Sequence, residues 1–240
     1  LITLKLFNFF EQRLAKEKAS YIYEKIDKPL INVLSLMENR GIKVDPKYLK
    51  KLSLEFYNQS AKLEKQIFKI TNKDFNIGSP KQLGEILFID MGIKGGRKTK
   101  TGTYSTDSRI LEDLAHQGYD IAELILEWRE LTKLRSTYTD ALINQVEYKT
   151  NRVHTSYALG TTITGRLSSN DPNLQNIPIR TENGKKIRYA FIAENKNKIV
   201  SFDYSQIELR LAAEISKDKN FIEAFIQGED IHTTTAKEIF

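Results

Sequence analysis

The sequence predicts an α+β, multi-domain protein in which a projection of long helices precedes an α+β core. Three observations carry that prediction. Apolar residues recur at helical spacing through most of the first 149 residues, the texture turns β-rich after Lys149, and helical spacing returns from Gln206. No internal repeat or low-complexity tract interrupts the 240 residues, so the division is expected near Lys149.

Residues 1–28 are helical in pattern, rich in aromatics and lysine, and carry no motif tied to chemistry; they read as the tail of a preceding domain. From Pro29 to Arg40, Leu30, Val33, Leu34 and Met37 recur at helical spacing, and Gly41 stands where a left-handed C-terminal cap is wanted. Asp45 then offers an N-cap and Pro46 a first helical residue. They open a long helix whose Leu49, Leu52, Phe56, Leu63, Ile67 and Ile70 form a seam that needs a partner helix. Ser79 and Gln82, around Pro80, have the spacing of a capping box.

The stretch KGGRKTKTGTYST, Lys94 to Thr106, holds glycines, hydroxyls and the cations Lys94, Arg97, Lys98 and Lys100; it is expected to be a solvated loop that buries nothing. A second long helix starts near Ile121. Its apolar stripe is Leu124, Trp128, Leu131, Leu134, Tyr138 and Leu142, and its polar side carries Arg129, Lys133, Ser136, Thr137 and Asp140. Two long helices joined through a basic loop imply an extended antiparallel projection. Beyond Lys149, RVHTSYALGTTITGRL reads as a hairpin and NDPNLQNIPIRTENG as turns. IRYAFIAENKNKIVSFDY reads as two strands joined by the polar residues Glu194 to Asn197.

Bulk composition narrows the function classes. Lys and Arg outnumber Asp and Glu by 37 to 31, a net charge of +6, which favours a polyanionic partner without specifying one. The absence of cysteine excludes disulfides and thiolate metal sites and fits a reducing compartment. No apolar run reaches the ~18 residues of a membrane span, and no signal-peptide cleavage pattern opens the chain, so a soluble cytoplasmic protein is expected. A first residue of Leu1, and Phe240 within a running helical pattern, lead us to expect a piece of something longer.

One acid raises a question of its own. Within IVSFDYSQIELRLAAE, strand alternation puts Ile199, Ser201 and Asp203 on one side, so Asp203 closes a strand at its less apolar face. Two readings fit: an N-cap for the helix beginning near Gln206, or an oxygen ligand for a hard cation such as Mg²⁺. Glu208 fits an acid complementing a helix dipole. Arg166 fits a surface arginine in a hairpin; Asn173, Gln175 and Asn176 fit turn chemistry; His232 fits a core or helix-start histidine.

Four segments carry a resemblance that adds roles to these residues. DYSQIELR (Asp203 to Arg210) resembles the first catalytic motif of family A DNA polymerases, the bacterial polymerase I type. TGRLSSNDPNLQNIPIR (Thr164 to Arg180) and GEDIHTTTA (Gly228 to Ala236) resemble two further blocks of that family in the same order, and LTKLRSTYTD (Leu131 to Asp140) resembles its thumb. The similarity runs from about Pro29 to the last residue. It implies a thumb over 29–149, the first part of an antiparallel-sheet palm over 150–218, and the start of the fingers over 219–240, with 1–28 as the tail of a nuclease-like domain or a linker.

The resemblance also implies that Asp203, with the Tyr204 carbonyl, ligates two Mg²⁺ ions. By the same token Glu208 blocks a ribose 2′-hydroxyl, Ser205 and Gln206 support the nucleotide site, and His232 hydrogen-bonds the triphosphate. Arg166, Asn173, Gln175 and Asn176 would read the minor groove, whose acceptors are nearly degenerate across base pairs, and Arg180 would contact phosphate or groove. Lys133, Arg135, Ser136, Thr137 and Tyr138, with Lys98 and Lys100, would track duplex phosphates. Arg210 is assigned a structural place only. The implied parent is a template-directed DNA polymerase of replication and repair, a monomer working on primer-template DNA and dNTPs in the bacterial cytoplasm, near the nucleoid. The family's second metal-binding aspartate and its triphosphate-holding fingers helix do not occur before Phe240, so the 240-residue piece alone is expected not to extend primers. Three alternatives stand beside this: a related single-subunit RNA polymerase, a non-catalytic duplex-binding module, and a metal-dependent nuclease.

Overall fold

The computed structural model describes residues 1–100, 102–228 and 231. The chain groups into two compact units, Leu1–Lys196 and Asn197–Phe240.

The first unit opens with helix α1 (Ile2–Lys16), the short α2 (Ser20–Ile22), a π-helical turn over Tyr23–Asp27, and α3 (Lys28–Arg40). Among these helical segments Leu34 alone is buried. Val33 and Met37 of the predicted stripe are instead about half exposed. Gly41 ends α3 at φ +61°, its N–H bonded to the Met37 carbonyl. A side chain there is barred twice over, since a Cβ would stand 2.6 Å from the Val153 carbonyl oxygen.

The long helix α4 (Pro46–Thr71) starts where predicted: the Asp45 carboxylate accepts from the N–H groups of Lys47 (2.9 Å) and Tyr48 (3.1 Å). Its partner is a continuous rod made of α7 (Asp120–Lys133), a π-helical stretch (Leu134–Asp140) and α8 (Ala141–Gln145). The rod runs antiparallel to α4, because Ile67 shares a core with Ile121 and Ile125 while Leu49 shares one with Leu134 and Leu142. Ile70 departs from the predicted seam and is exposed in the last turn of α4.

The distal core adds Ile77, α5 (Pro80–Glu85) with its π-helical continuation Ile86–Asp90, and α6 (Ser108–His116). The predicted capping box is only half formed. Ser79 Oγ accepts from the Gln82 N–H, but the Gln82 side chain reaches the Asn76 N–H at 2.7 Å instead of returning to Ser79. The basic loop is also better anchored than its composition suggests. Tyr104 packs on Phe88 with ring centroids 5.0 Å apart. Thr106 is buried, its carbonyl and hydroxyl both taken by the Arg129 guanidinium at 2.5 and 3.1 Å. One aromatic and one threonine among the cations therefore bind the loop to the helices.

The proximal core carries a three-stranded antiparallel sheet in the order β1 (Ile42–Lys43), β3 (Arg152–Val153), β2 (Val146–Glu147), with Val153 opposite both Ile42 and Val146. A hairpin forms between β4 (Ser156–Ala158) and β5 (Ser168–Asn170), its second strand lying just past the predicted stretch that ends at Leu167. Neither of the two strands predicted after it does. Glu182–Arg188 is helix α9, capped by the Thr181 hydroxyl on the Gly184 N–H, and it buries Ile187; Phe191 makes a single bridge to Val44. A cap plus a core position for Ile187 outweighs the β-leaning composition.

In the second unit, residues 197–204 form no strand, and Phe202 and Tyr204 are largely exposed. Strand residues need a neighbour to satisfy N–H and C=O groups, and among the described residues none pairs with this segment. The predicted helices do follow: α10 (Ile207–Ser216) and α11 (Lys219–Gln227), the latter capped by Asp218 on the Phe221 N–H at 2.9 Å.

Candidate functional site

Asp203 lies in the second unit, in the extended lead into α10. Its side chain is exposed, and among the described residues none hydrogen-bonds or ion-pairs with it. The N-cap alternative fails on geometry. The cap of α10 is Gln206, in the left-handed region at φ +53°, and no side chain caps the helix. An open carboxylate followed by a peptide carbonyl is a hard-oxygen donor set that suits a small divalent cation. Among the described residues no three His, Cys, Asp or Glu side chains group closely enough to hold a metal.

Glu208 is the acid in the first turn of α10, beside the helix N-terminus, and it is exposed. Ser205 is exposed and Gln206 half-buried. Arg210, assigned no specific role from sequence, grips this turn: its Nε donates to the Ser205 carbonyl at 3.0 Å and its guanidinium lies 4.6 Å from the centre of the Phe225 ring. Sequence spacing alone puts Arg210 one turn into the helix; the aromatic lid on α11 is a tertiary feature. His232 falls outside the described residues.

The remaining candidates belong to the first unit. Arg166 is exposed and follows Gly165, which takes φ +77°; the Arg166 carbonyl accepts from Thr162 Oγ1 at 2.7 Å. The segment after β5 is fixed from beneath by a buried hydroxyl pair. Thr155 Oγ1 and Ser169 Oγ are 2.6 Å apart, Thr155 donates to the Pro172 carbonyl, and Ser169 Oγ accepts from the Leu174 N–H at 3.0 Å.

The three neutral candidates on this segment are placed differently. Asn173 Oδ1 accepts from the Gln175 and Asn176 N–H groups, and Gln175 Nε2 donates to the Leu167 carbonyl, so those two amides are partly committed inward. Among the described residues no hydrogen bond engages the Asn176 amide, which is exposed, while the Asn176 carbonyl accepts from the Tyr138 hydroxyl at 2.6 Å. Arg180 is exposed.

On the rod, Lys133, Ser136 and Thr137 are exposed, and Lys133 and Ser136 line a cleft of about 600 Å³ with Thr99, Thr103, Trp128 and Arg129 among its walls. Burial pulls the Arg129 pKa down, but a guanidinium stays charged. Arg135 faces inward: its guanidinium lies 4.8 Å from the Tyr57 ring centre and its Nε 3.2 Å from Asp140, whose other oxygen accepts from Ser53. Tyr138 is likewise half-buried against the proximal core. In the loop, Lys98 reaches over Tyr104 at 5.3 Å and Lys100 is exposed.

Comparison with known proteins gives these placements a frame. The model for DNA polymerase family A matches residues 46–240. The chain is 52% identical over 239 residues to DNA polymerase I of Rhizobium leguminosarum, covering all of this chain and 24% of that protein. It is 45% identical over 242 residues to the thermostable DNA polymerase I of Thermus thermophilus, again across the whole chain and 29% of the relative. The chain thus spans about a quarter of the length of these relatives. Among solved structures, the POL domain of Pol1 from M. smegmatis, in complex with DNA primer-template and dNTP, superposes with a TM-score of 0.87 at 38% identity, covering 95% of this chain and 40% of that one. Breadth of match and identity together lead to one conclusion: the chain belongs to DNA polymerase family A.

Proposed function

We propose that this chain contributes the thumb (29–149), the first part of the palm (150–218) and the start of the fingers (219–240) of a template-directed DNA polymerase. That enzyme adds dNTPs to a primer 3′-hydroxyl in replication and repair. The observation that carries the proposal is the exposed Asp203 carboxylate at the head of α10, unengaged among the described residues and inside the motif DYSQIELR. Asp203 and the Tyr204 carbonyl would hold divalent metal, Mg²⁺ in the cell. When bound, the metal pair supplies Lewis-acid activation of the primer hydroxyl and neutralises charge on the departing pyrophosphate.

The other roles belong to the chain itself. Glu208, in the first turn of α10, excludes a ribose 2′-hydroxyl, and a carboxylate at that point weighs against a ribonucleotide polymerase. Ser205 and Gln206 shape the nucleotide site, with His232 on the triphosphate. Arg166 and Asn176 present donors to minor-groove acceptors whatever the sequence, with Asn173 and Gln175 bracing the same turn. Lys133, Ser136, Thr137, Lys98, Lys100 and Arg180 follow the duplex backbone. Arg135 acts from behind, through Asp140. The working protein is a cytoplasmic monomer; among the described residues no helix is long and apolar enough to cross a membrane.

Primer extension tests the reading. The complete protein should extend a primer with the complementary dNTP and Mg²⁺, and the 240-residue segment alone should not, since among its described residues no three His, Cys, Asp or Glu side chains group closely enough to hold a metal. Duplex binding by the complete protein without any extension would favour a non-catalytic clamp instead.

A further inference from the structure

We infer that Tyr138 is a positioning residue for the minor-groove turn: its hydroxyl fixes the Asn176 backbone, so that the Asn176 amide is aimed by the thumb rod. The inference rests on the polymerase reading above and deepens it.

The argument starts from what holds the turn. Leu174 is tied through its N–H to the buried Ser169 hydroxyl, and Asn173 folds its own Oδ1 back onto the Gln175 and Asn176 N–H groups at 3.0 and 3.2 Å. Gln175 spends its amide on the Leu167 carbonyl. Asn176 therefore has its N–H satisfied locally and its side-chain amide turned to solvent, which leaves its carbonyl as the point where the fold can grip it. Tyr138 does so at 2.6 Å, across 38 residues of sequence.

Tyr138 can deliver that bond because its own place is set by packing. It sits in the π-helical stretch Leu134–Asp140, against the core that includes Leu131, Leu134 and Leu142 and that Leu174 and Ile177 also join. A widened turn in a long helix re-aims a side chain relative to regular spacing and often marks a functional place. Lys133, Ser136 and Thr137 stand on the same rod and are exposed. One helix thus carries candidate backbone contacts and, through a single hydroxyl, the placement of a base-edge donor. A rigid offset between the two is what sequence-independent checking of a terminal base pair needs: the donor must meet the acceptor at a fixed distance whatever pair is present.

Tyr138→Phe removes the hydroxyl and leaves the ring in its core. In the complete polymerase we expect it to lower the preference for extending matched over mismatched primer termini by about three- to tenfold, the range a single net hydrogen bond supports. The dNTP KM opposite a matched template base and the Tm should stay as they are. Asn176→Ala should lower the same preference at least as much, and the double variant should be no worse than Asn176→Ala alone, because Tyr138 acts through Asn176. Additive losses, an unchanged preference in Tyr138→Phe, or a loss matched by a fall in Tm would overturn the inference. A complete protein unable to extend any primer would instead refute the polymerase reading itself.

Discussion

At the residue scale the decisive placement is Asp203, exposed and uncommitted among the described residues, with Gln206 and not an acid at the helix cap. Glu208 follows in the first turn of α10, and its size and charge are the proposed barrier to ribonucleotides. Glu208→Ala in the complete protein should raise rNTP incorporation relative to dNTP by at least tenfold in competition assays; an unmoved ratio would remove that role. The candidate residues themselves could be picked out from sequence because the motif residues are adjacent in the chain. How each is held was not. Arg210 reaches Phe225 on the next helix, Arg135 turns inward to Tyr57 and Asp140, and Tyr138 finds a carbonyl 38 residues away. Each depends on a tertiary neighbour that spacing does not specify.

At the element scale the two long helices are the most readable part, because caps and periodic apolar residues are local signals. Asp45, Pro46 and the seam from Leu49 to Ile67 sit as predicted, with Phe56 fully buried between α4 and the rod. Phe56→Ala should cost about 3–5 kcal/mol in urea unfolding, the range for emptying a packed aromatic site; a loss below 1 kcal/mol would mean this core is not tight. Gly184→Ala should also destabilise, since the new Cβ would come within 2.5 Å of Pro178 Cβ. The cap of α6 gives a pH signature. The Ile110 N–H, then the Ser105 hydroxyl, hold the Asp107 carboxyl below its ordinary 3.8, so its stabilising effect is present above that value and fades as pH falls through the depressed one. Accordingly, Asp107→Ala should lower the urea midpoint at pH 7, and the gap should close upon acidification below 3.8. Strands were the least readable elements: the predicted strand before Asp203 has no ladder partner among the described residues, and the one before it gave way to α9 once Thr181 capped a helix that buries Ile187.

At the scale of the whole molecule, a net charge of +6 and exposed cations on rod and loop fit a partner whose backbone is a polyanion. Binding of primer-template by the complete protein should weaken with salt. Lys133→Ala should reduce the slope of log K against log salt by about one phosphate's worth, with no change in sequence preference. Recognition by charge and groove shape is shared by many binding proteins, however, and under the proposed function what separates an enzyme from a clamp is the carboxylate at residue 203. The most direct test is therefore Asp203→Ala in the complete protein, with duplex affinity measured by anisotropy and single-turnover incorporation measured by rapid quench at saturating DNA and dNTP. We predict that incorporation falls by at least a thousandfold while duplex affinity stays within about threefold, a transition-state loss of about 4 kcal/mol or more; incorporation retained at a tenth or more of the parent rate would contradict the assignment.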